Sequence, residues 1–368
     1  MNRRDFIKYG TVFAGACGVC LLCKNGQIFN INNSSDIKTE DNRPCKRPFI
    51  NCEIHPKGNV YSCCPGYLKT RTPAGNIEEQ DLAEIWNGEI LTDLRQRVLK
   101  GDYSLCNRDI CGMYMPCSAD EIPSGYEKGP QDLKIGYDLE CNYRCITCRD
   151  TVITDTPEEL EFYNNVYLPK ILKIAENLEF VSSSLNGDAL SSRHSRQIIK
   201  KLAEEYPHIK FNLFTNGLLL DEENIRELGI QDKICGLSVS VDAVNRKTYN
   251  EILRTDAFDT VMKNLKLMSE WKKQGKIEWI TINFVVHLLN YKEMPAFAKL
   301  AKKLDVRAFF STYQPWYSAK FHERYNEVAV FEPENEHYEE LVKILHNPVF
   351  KDKIHVHLEP RLYDIVYS

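Results

Sequence analysis

Cysteine is the residue type with the most chemistry to offer in this sequence, and its spacing is uneven. The chain has 14 cysteines in 368 residues. Cys17, Cys20 and Cys23 lie in or beside an N-terminal apolar segment, and Cys45, Cys52, Cys63, Cys64, Cys106, Cys111 and Cys117 fill the stretch up to residue 117. Cys141, Cys145 and Cys148 are packed close together, Cys235 stands alone, and no cysteine follows it. A disulfide-stapled secreted protein rarely leaves its larger half bare, so the clustering favours metal ligation. The tightest group reads Cys141-Asn-Tyr-Arg-Cys145-Ile-Thr-Cys148, a C-x3-C-x2-C loop. A structural zinc site wants four ligands in a closed tetrahedron, and no fourth ligand lies nearby in sequence. Three thiolates in one loop suit one face of an iron–sulfur cubane. The fourth iron is then left for the amino and carboxylate groups of a small molecule.

The elements that must hold this loop alternate from residue 132 onward. Strands are expected at 133–137, 178–182, 210–214, 235–241, 278–286 and 306–311. Helices are expected at 157–175, 192–206, 221–229, 245–252, 257–274 and 291–303. Such alternation predicts an α/β fold with a parallel sheet or partial barrel, whose site lies at the C-terminal ends of the strands. The cysteine loop, Asn216-Gly217 and Asp242 all fall at such ends. Net charge −5 gives no electrostatic case for nucleic acid as a partner. No apolar run reaches about 18 residues, which argues against a polytopic membrane protein. No Gly-x-Ser-x-Gly elbow occurs, so a serine-hydrolase triad has no support.

With these motifs in hand, residues 130–345 resemble the radical S-adenosylmethionine superfamily, built on a partial (β/α)6 barrel. The cysteine loop after the first strand is the most specific part of that resemblance. Asn186-Gly187-Asp188 stands after the second strand, where the family usually carries Gly-Gly-Glu to meet the methionine amino group. Phe214-Thr-Asn-Gly217 ends the third strand and Leu237-Ser-Val-Ser-Val-Asp242 forms the fourth. Tyr249-Asn-Glu-Ile-Leu-Arg254 and Phe258-Asp-Thr-Val-Met-Lys-Asn264 follow as in peptide-modifying members. The resemblance implies a [4Fe–4S] cluster on Cys141, Cys145 and Cys148, and S-adenosylmethionine contacts from Asn186, Gly187, Asp188, Asn216, Ser240, Asp242 and Arg254. It also implies reductive cleavage to a 5′-deoxyadenosyl radical that takes a substrate hydrogen, with the protein supplying orientation. Two departures stand out: Thr147 precedes the last cysteine where a bulky residue is usual, and Asn186 and Asp188 replace Gly and Glu.

The front end, residues 45–125, resembles a SPASM or shortened twitch domain, which holds auxiliary iron–sulfur clusters and usually follows the barrel. Gly58-Asn-Val-Tyr-Ser-Cys63 gives Gly-x4-Cys, and Gly58 suits a hairpin turn. Helices are expected at 82–86 and 91–99. By this resemblance Cys52, Cys63, Cys106 and Cys111 supply a second [4Fe–4S] cluster, with Cys117 or Cys64 as a substitute. Spacing alone also admits a four-cysteine zinc knot. Cys45 is expected to be unliganded, the leader cysteines to be apolar filler, and Cys235 to be core.

Residues 1–23, with Arg3-Arg4-Asp5-Phe6-Ile7-Lys8 before an apolar stretch, follow signal-peptide grammar of the twin-arginine kind, and residues 24–44 read as a linker. Residues 346–368 are a C-terminal extension. His287, Asn290 and the Tyr313–Tyr317 aromatics lie past strand ends, where they could line a pocket or simply pack. A peptide or protein side chain is the expected substrate, with a carbohydrate or small metabolite as runner-up. A flavodoxin- or ferredoxin-type protein is the expected electron donor. Cytoplasmic location is expected, the alternative being export or membrane association through the leader. From other classes, a non-catalytic iron–sulfur module or a zinc-binding structural protein would share the same cysteines.

Overall fold

The computed structural model describes residues 42–315 and 319–367, together with the backbone of two short paired segments, Cys23–Lys24 and Gln27–Ile28. Except for Cys23, the leader expected at 1–23, Cys17 and Cys20 included, and most of the linker fall outside the described residues, as do Trp316 and Tyr317.

One ten-stranded sheet organises the chain. Its strands are β1 (Asn51–Ile54), β2 (Asn59–Tyr61), β3 (Gly75–Asn76), β4 (Asp132–Ile135), β5 (Phe180–Ser183), β6 (Lys210–Thr215), β7 (Ile234–Ser240), β8 (Trp279–Val286), β9 (Arg307–Thr312) and β10 (Val356–Leu358). The order is β10-β9-β8-β7-β6-β5-β4-β1-β2-β3. Strands β4 to β9 are the six expected, pairing parallel in chain order with helices between them. β10 adds a further parallel strand beside β9 from the stretch read as an extension.

The cysteine-rich front end is built into this sheet. β1 pairs parallel with β4, Glu53 opposite Lys134, and then turns back into the antiparallel pairs β1–β2 and β2–β3. The β1–β2 turn passes through Lys57 and Gly58, both with positive φ (66° and 73°). Such backbone at two successive positions matches the twist of a tight hairpin.

Residue alternation gives the sheet two unlike faces. Phe284 of β8 and Phe310 of β9 pack on Phe297 of the helix Met294–Leu304, with ring centroids 4.8 and 5.7 Å away. That face carries Leu133, Ile135, Val181, Leu213, Leu237, Val239, Ile280 and Ile282, all essentially buried. The opposite, inner face is mixed, with Phe180, Phe214, Trp279, Val285 and Phe309 among many polar side chains. Through the pairing register it holds Asn51 and Glu53, Asp132 and Lys134, Ser182, Asn212, Ser238 and Ser240, Thr281 and Asn283, and Arg307. Parallel strands buried on both faces usually read as continuous apolar runs. So many polar side chains on an inner face signal a lumen with work to do.

One expected helix departs from regularity. Residues 157–175 form Pro157–Phe162, then a π-helical turn Tyr163–Tyr167, then Leu168–Leu172. Pro169 has no N–H to donate to the preceding turn, so the continuous α pattern cannot run through it. The stretches expected at 192–206, 221–229, 245–252 and 257–274 form as Arg193–Glu205, Glu222–Glu227, Arg246–Leu253 and Phe258–Lys273.

Candidate active site

The cysteine loop sits beyond the C-terminal end of β4. Cys141 forms an antiparallel bridge with Ile153, and the Ile146 N–H donates to Ile252 O at 2.9 Å, fixing the loop to the helix Arg246–Leu253. Cys145 O accepts from the N–H groups of Cys148 and Arg149 at 3.0 and 2.9 Å. Cys141 is buried, while Cys145 and Cys148 are partly exposed. The three thiols lie near enough that the charges of Cys141 and Cys148 each raise the Cys145 pKa, after burial, which acts most strongly. Burial pushes Cys141 up to about 11. Thiols this protonated become ligands only when a metal replaces their protons.

Arg149 directly follows the third cysteine and is buried, at 6% exposure. Its Nε donates to Cys148 Sγ at 3.3 Å, and its two terminal nitrogens donate to Leu139 O at 2.8 Å and Asn186 O at 2.7 Å. A buried cation beside three sulfurs is the charge that a thiolate-bound cluster requires. The sequence shows this arginine directly after the last cysteine, but its spacing alone gave it no role at the site.

Asp188 is spent on the protein. Its Oδ1 accepts from Leu190 N (3.0 Å) and Ser191 N (2.8 Å), and its Oδ2 from Thr215 Oγ1 (2.9 Å) and Asn216 N (2.6 Å). All the room a carboxylate has for good acceptor geometry is taken, so it ties the β5 loop to the end of β6. The expectation that Asp188 meets the methionine amino group finds no free acceptor here. The physical reason is its length: one methylene shorter than Glu, it stays within reach of its own loop's N–H groups. Gly187 is required beside it, because a Cβ there would stand 2.5 Å from Glu140 O and 2.8 Å from Ser184 Oγ. Asn186 donates to Gly136 O.

Asn216 reaches the cluster loop, its Nδ2 donating to Asn142 Oδ1 at 2.7 Å and lying 4.0 Å from Cys141 Sγ. Ser240 is exposed at the inner end of β7. Asp242 follows it with φ +59°, accepting from Val285 N at 2.7 Å, and burial pushes its carboxyl up to about 7. Arg254 is exposed in left-handed backbone at the C-cap of the helix Arg246–Leu253. Tyr313 and His287 are fully buried against Phe321, with the Tyr313 hydroxyl and His287 Nε2 lacking hydrogen-bond partners among the described residues. Asn290 donates to Asp242 O and Val285 O, a bracing role.

At the other end of the sheet the front-end cysteines divide. Burial pushes Cys45 up to about 11 and Cys106 up to about 12, and the charge of Cys111 raises both further. Cys63 is raised by burial and then by Cys45 and Cys111. These four thiols therefore form one neighbourhood, with Cys64 beside Cys111. Cys45 is held there by a bridge to Pro116, and Cys106 by one to Leu68. Cys52 and Cys117 are not in it: the charged neighbours of Cys52 are Glu53, Asp132 and Arg95, and those of Cys117 are Lys46, Glu121, Arg43 and Asp120. Cys52, named in the expected ligand set, thus stands apart from Cys63, Cys106 and Cys111, whereas Cys45, expected to be unliganded, lies with them. Alternation decides it. Glu53 points to the inner face and bonds Arg47 at 2.8 Å, so Cys52 points to the apolar core. Among the described residues no three His, Cys, Asp or Glu side chains converge as around a single ion. A cubane spreads its thiolates across a cluster instead.

Residues 140–301 match the description "Radical SAM superfamily", and residues 45–112 match "Iron-sulfur cluster-binding domain", the SPASM type. Residues 140–301 belong to the radical S-adenosylmethionine superfamily. This radical SAM chain is 29% identical over 184 residues to a "Probable GTP 3',8-cyclase" of Saccharolobus islandicus, which covers 48% of the chain and 54% of that relative. It is 28% identical over 199 residues to the "GTP 3',8-cyclase" of Synechocystis, covering 53% of the chain and 58% of that protein. The chain thus spans little more than half the length of these curated relatives. Streptococcus suis SuiB bound to its precursor peptide SuiA aligns with 78% of the chain and 66% of SuiB at TM-score 0.44 and 14% identity, too loose a likeness to bear on function. The radical SAM and SPASM matches imply [4Fe–4S] clusters and S-adenosylmethionine, and the donor sets fit: three loop thiols beside a buried guanidinium at one end, four gathered thiols at the other. Among the described residues no helix is long and apolar enough to cross a membrane.

Proposed function

We propose that this protein reductively cleaves S-adenosylmethionine and abstracts a hydrogen atom from a substrate held against the inner face of its sheet. The observation that carries this reading is the C-x3-C-x2-C loop, folded at the strand C-termini with Arg149 donating to Cys148. Cys141, Cys145 and Cys148 would hold a [4Fe–4S] cluster, which when bound supplies the electron that breaks the sulfonium bond. Asn216 braces the loop through Asn142, and Asp188 fixes Asn216 in turn. Ser240 and Arg254, both exposed, would meet the ribose and carboxylate of the cofactor. Asp188 acts as a positioning residue.

A second [4Fe–4S] cluster is assigned to Cys45, Cys63, Cys106 and Cys111. Ser62, beside Cys63, accepts from Asn51 Nδ2 at the N-terminal end of β1, so the two thiol groups bracket the inner face from opposite ends. A substrate between them could exchange electrons with either. A flavodoxin- or ferredoxin-type protein would feed the first cluster. Peptide modification is supported by the segments Tyr249–Arg254 and Phe258–Asn264. The polar side chains of the inner face and the GTP 3',8-cyclase relatives favour a small polar metabolite as the second reading. Cluster assembly needs reducing conditions, which favours the cytoplasm.

The test is 5′-deoxyadenosine formation by anaerobically reconstituted protein with dithionite. Loss of the product in Cys145→Ala supports the reading, and its absence from the fully iron-loaded wild type sinks it. Fractionation of a tagged chain with Arg3 and Arg4 changed to Lys tests the compartment, since export would stop.

A further inference from the structure

The inner face carries a charge that the described residues leave unanswered. Arg307 opens β9 and faces inward, because its neighbours Ala308 and Phe310 face the helix layer. It makes no ion pair or side-chain hydrogen bond among the described residues, and its Nη1 is buried without a partner. Burial lowers its pKa, and no carboxylate offsets that effect. Its charge acts on His357, opposite Phe309 on β10, which burial and then Arg307 push down to about 4, so it is neutral at pH 7. The strand neighbour in register, Thr281, also has a buried Oγ1 without a partner, as has Asn212 at its Oδ1. Beside them Asn283 donates to Ser238 Oγ at 2.8 Å. Below Thr281 on the same face, Trp279 lies over Gly236 so closely that a Cβ there would stand 1.9 Å from the indole, which closes the floor.

The contrast with the other wall is instructive. There Lys134 lies 3.8 Å from Glu53 and 4.0 Å from Asp132, and Arg47 is paired with Glu53. Those cations are neutralised inside the fold. A half-buried guanidinium without a counter-charge costs stability, and proteins keep one where a ligand completes the pair. Arginine's planar fork suits carboxylate and phosphate oxygens.

We propose that Arg307, with Thr281 beside it, is an anion-binding anchor on the inner face, so that the substrate of this site carries a carboxylate or phosphate group. The inference rests on the inner face being the substrate site of the proposed enzyme, and it names that substrate's chemistry. A cationic or wholly neutral substrate would leave Arg307 unpaired.

Thermal melts of the reconstituted full chain test this with sodium phosphate, pyrophosphate and glutarate, at ionic strength held constant with KCl. Wild type is expected to show saturable stabilisation by at least one of the three. The apparent dissociation constant rises about 10-fold or more in Arg307→Met, equivalent to roughly 1.4 kcal/mol, and less in Arg307→Lys. Without added anion, Arg307→Met melts at or above the wild-type temperature. Stabilisation by the phosphates alone identifies a phosphate-bearing substrate, and by glutarate alone a carboxylate. The proposal is overturned if no anion stabilises wild type saturably, or if the effect persists unchanged in Arg307→Met. 5′-Deoxyadenosine formation in the same samples separates the two ideas: its presence without Arg307-dependent binding removes only the anchor. Anion binding without it removes only the enzymatic reading.

Discussion

Single side chains decide how a cluster could be held and tuned. Arg149 donates to Cys148 Sγ, and a donor to a ligand sulfur stabilises the reduced, more negative cluster. Replacing it with Gln removes the charge and much of the contact. If about 1 kcal/mol of preferential stabilisation is lost, the potential falls by roughly 40 mV for one electron, and Arg149→Lys recovers part of it. Redox titration followed by electron paramagnetic resonance reads this directly, and an unchanged potential would contradict it. Asp188→Asn puts an amide NH2 where N–H and O–H donors already converge. About 2 kcal/mol of stability should be lost, measured as a lower denaturant midpoint, without any need for cofactor. His194 offers a third check. Its Nε2 faces Tyr137 OH at 2.7 Å and its Nδ1 faces Asn164 Oδ1 at 2.8 Å, and burial lowers its pKa to about 3. The unfolded chain gains a proton near pH 6.5 while the folded one does not. Stability from this group is therefore complete above about 6.5 and is lost as pH falls toward 3, by up to about 2 kcal/mol at pH 5. His194→Gln should flatten that part of the stability–pH curve, provided the variant folds at pH 7.

At the scale of elements, the informative piece is β1. Four consecutive residues, Asn51-Cys-Glu-Ile54, are buried, and alternation sends Glu53 toward the lumen and Cys52 into the apolar core. Spacing along the chain could not distinguish Cys45 from Cys52 as the partner of Cys63, because it does not say which face a thiol takes. Two variants follow from the assignment. Cys45→Ser should halve the iron content of reconstituted protein, from about eight to about four. Cys52→Ser should keep the iron and lose about 1–2 kcal/mol of stability, as a hydroxyl replaces a thiol in the core. Equal iron loss in both would return Cys52 to the ligand set. The helix interrupted at Tyr163–Tyr167 was legible only in part: the periodicity continued through it, and Pro169 was the mark of the break.

For the whole molecule, the parallel pairing of β1 with β4 matters most. It makes the SPASM-type segment a continuation of the barrel sheet. The strands from β4 to β9 were readable from alternating apolar runs with helices between them, and they emerge within one or two residues of expectation. β10 was not, since three residues of strand carry too little pattern to stand out from a tail. If the sheet is a single cooperative unit, truncation before Arg43 should leave the melting transition intact. Truncation before Gly129 should expose the edge of β4 and abolish cooperative melting. A cooperative transition in the shorter chain would show that the barrel stands without its front end.

The sequence by itself determined the class of chemistry and the scaffold. Three cysteines at C-x3-C-x2-C after a strand, followed by five more strand–helix alternations, are local facts that composition and periodicity carry. The tertiary structure decided which cysteines share a neighbourhood, that Asp188 spends its carboxylate on its own loops, and that Arg307 has no counter-charge among the described residues. Those are relations between residues distant in the chain, fixed by which strand lies beside which and which face each side chain takes, and no spacing rule contains them.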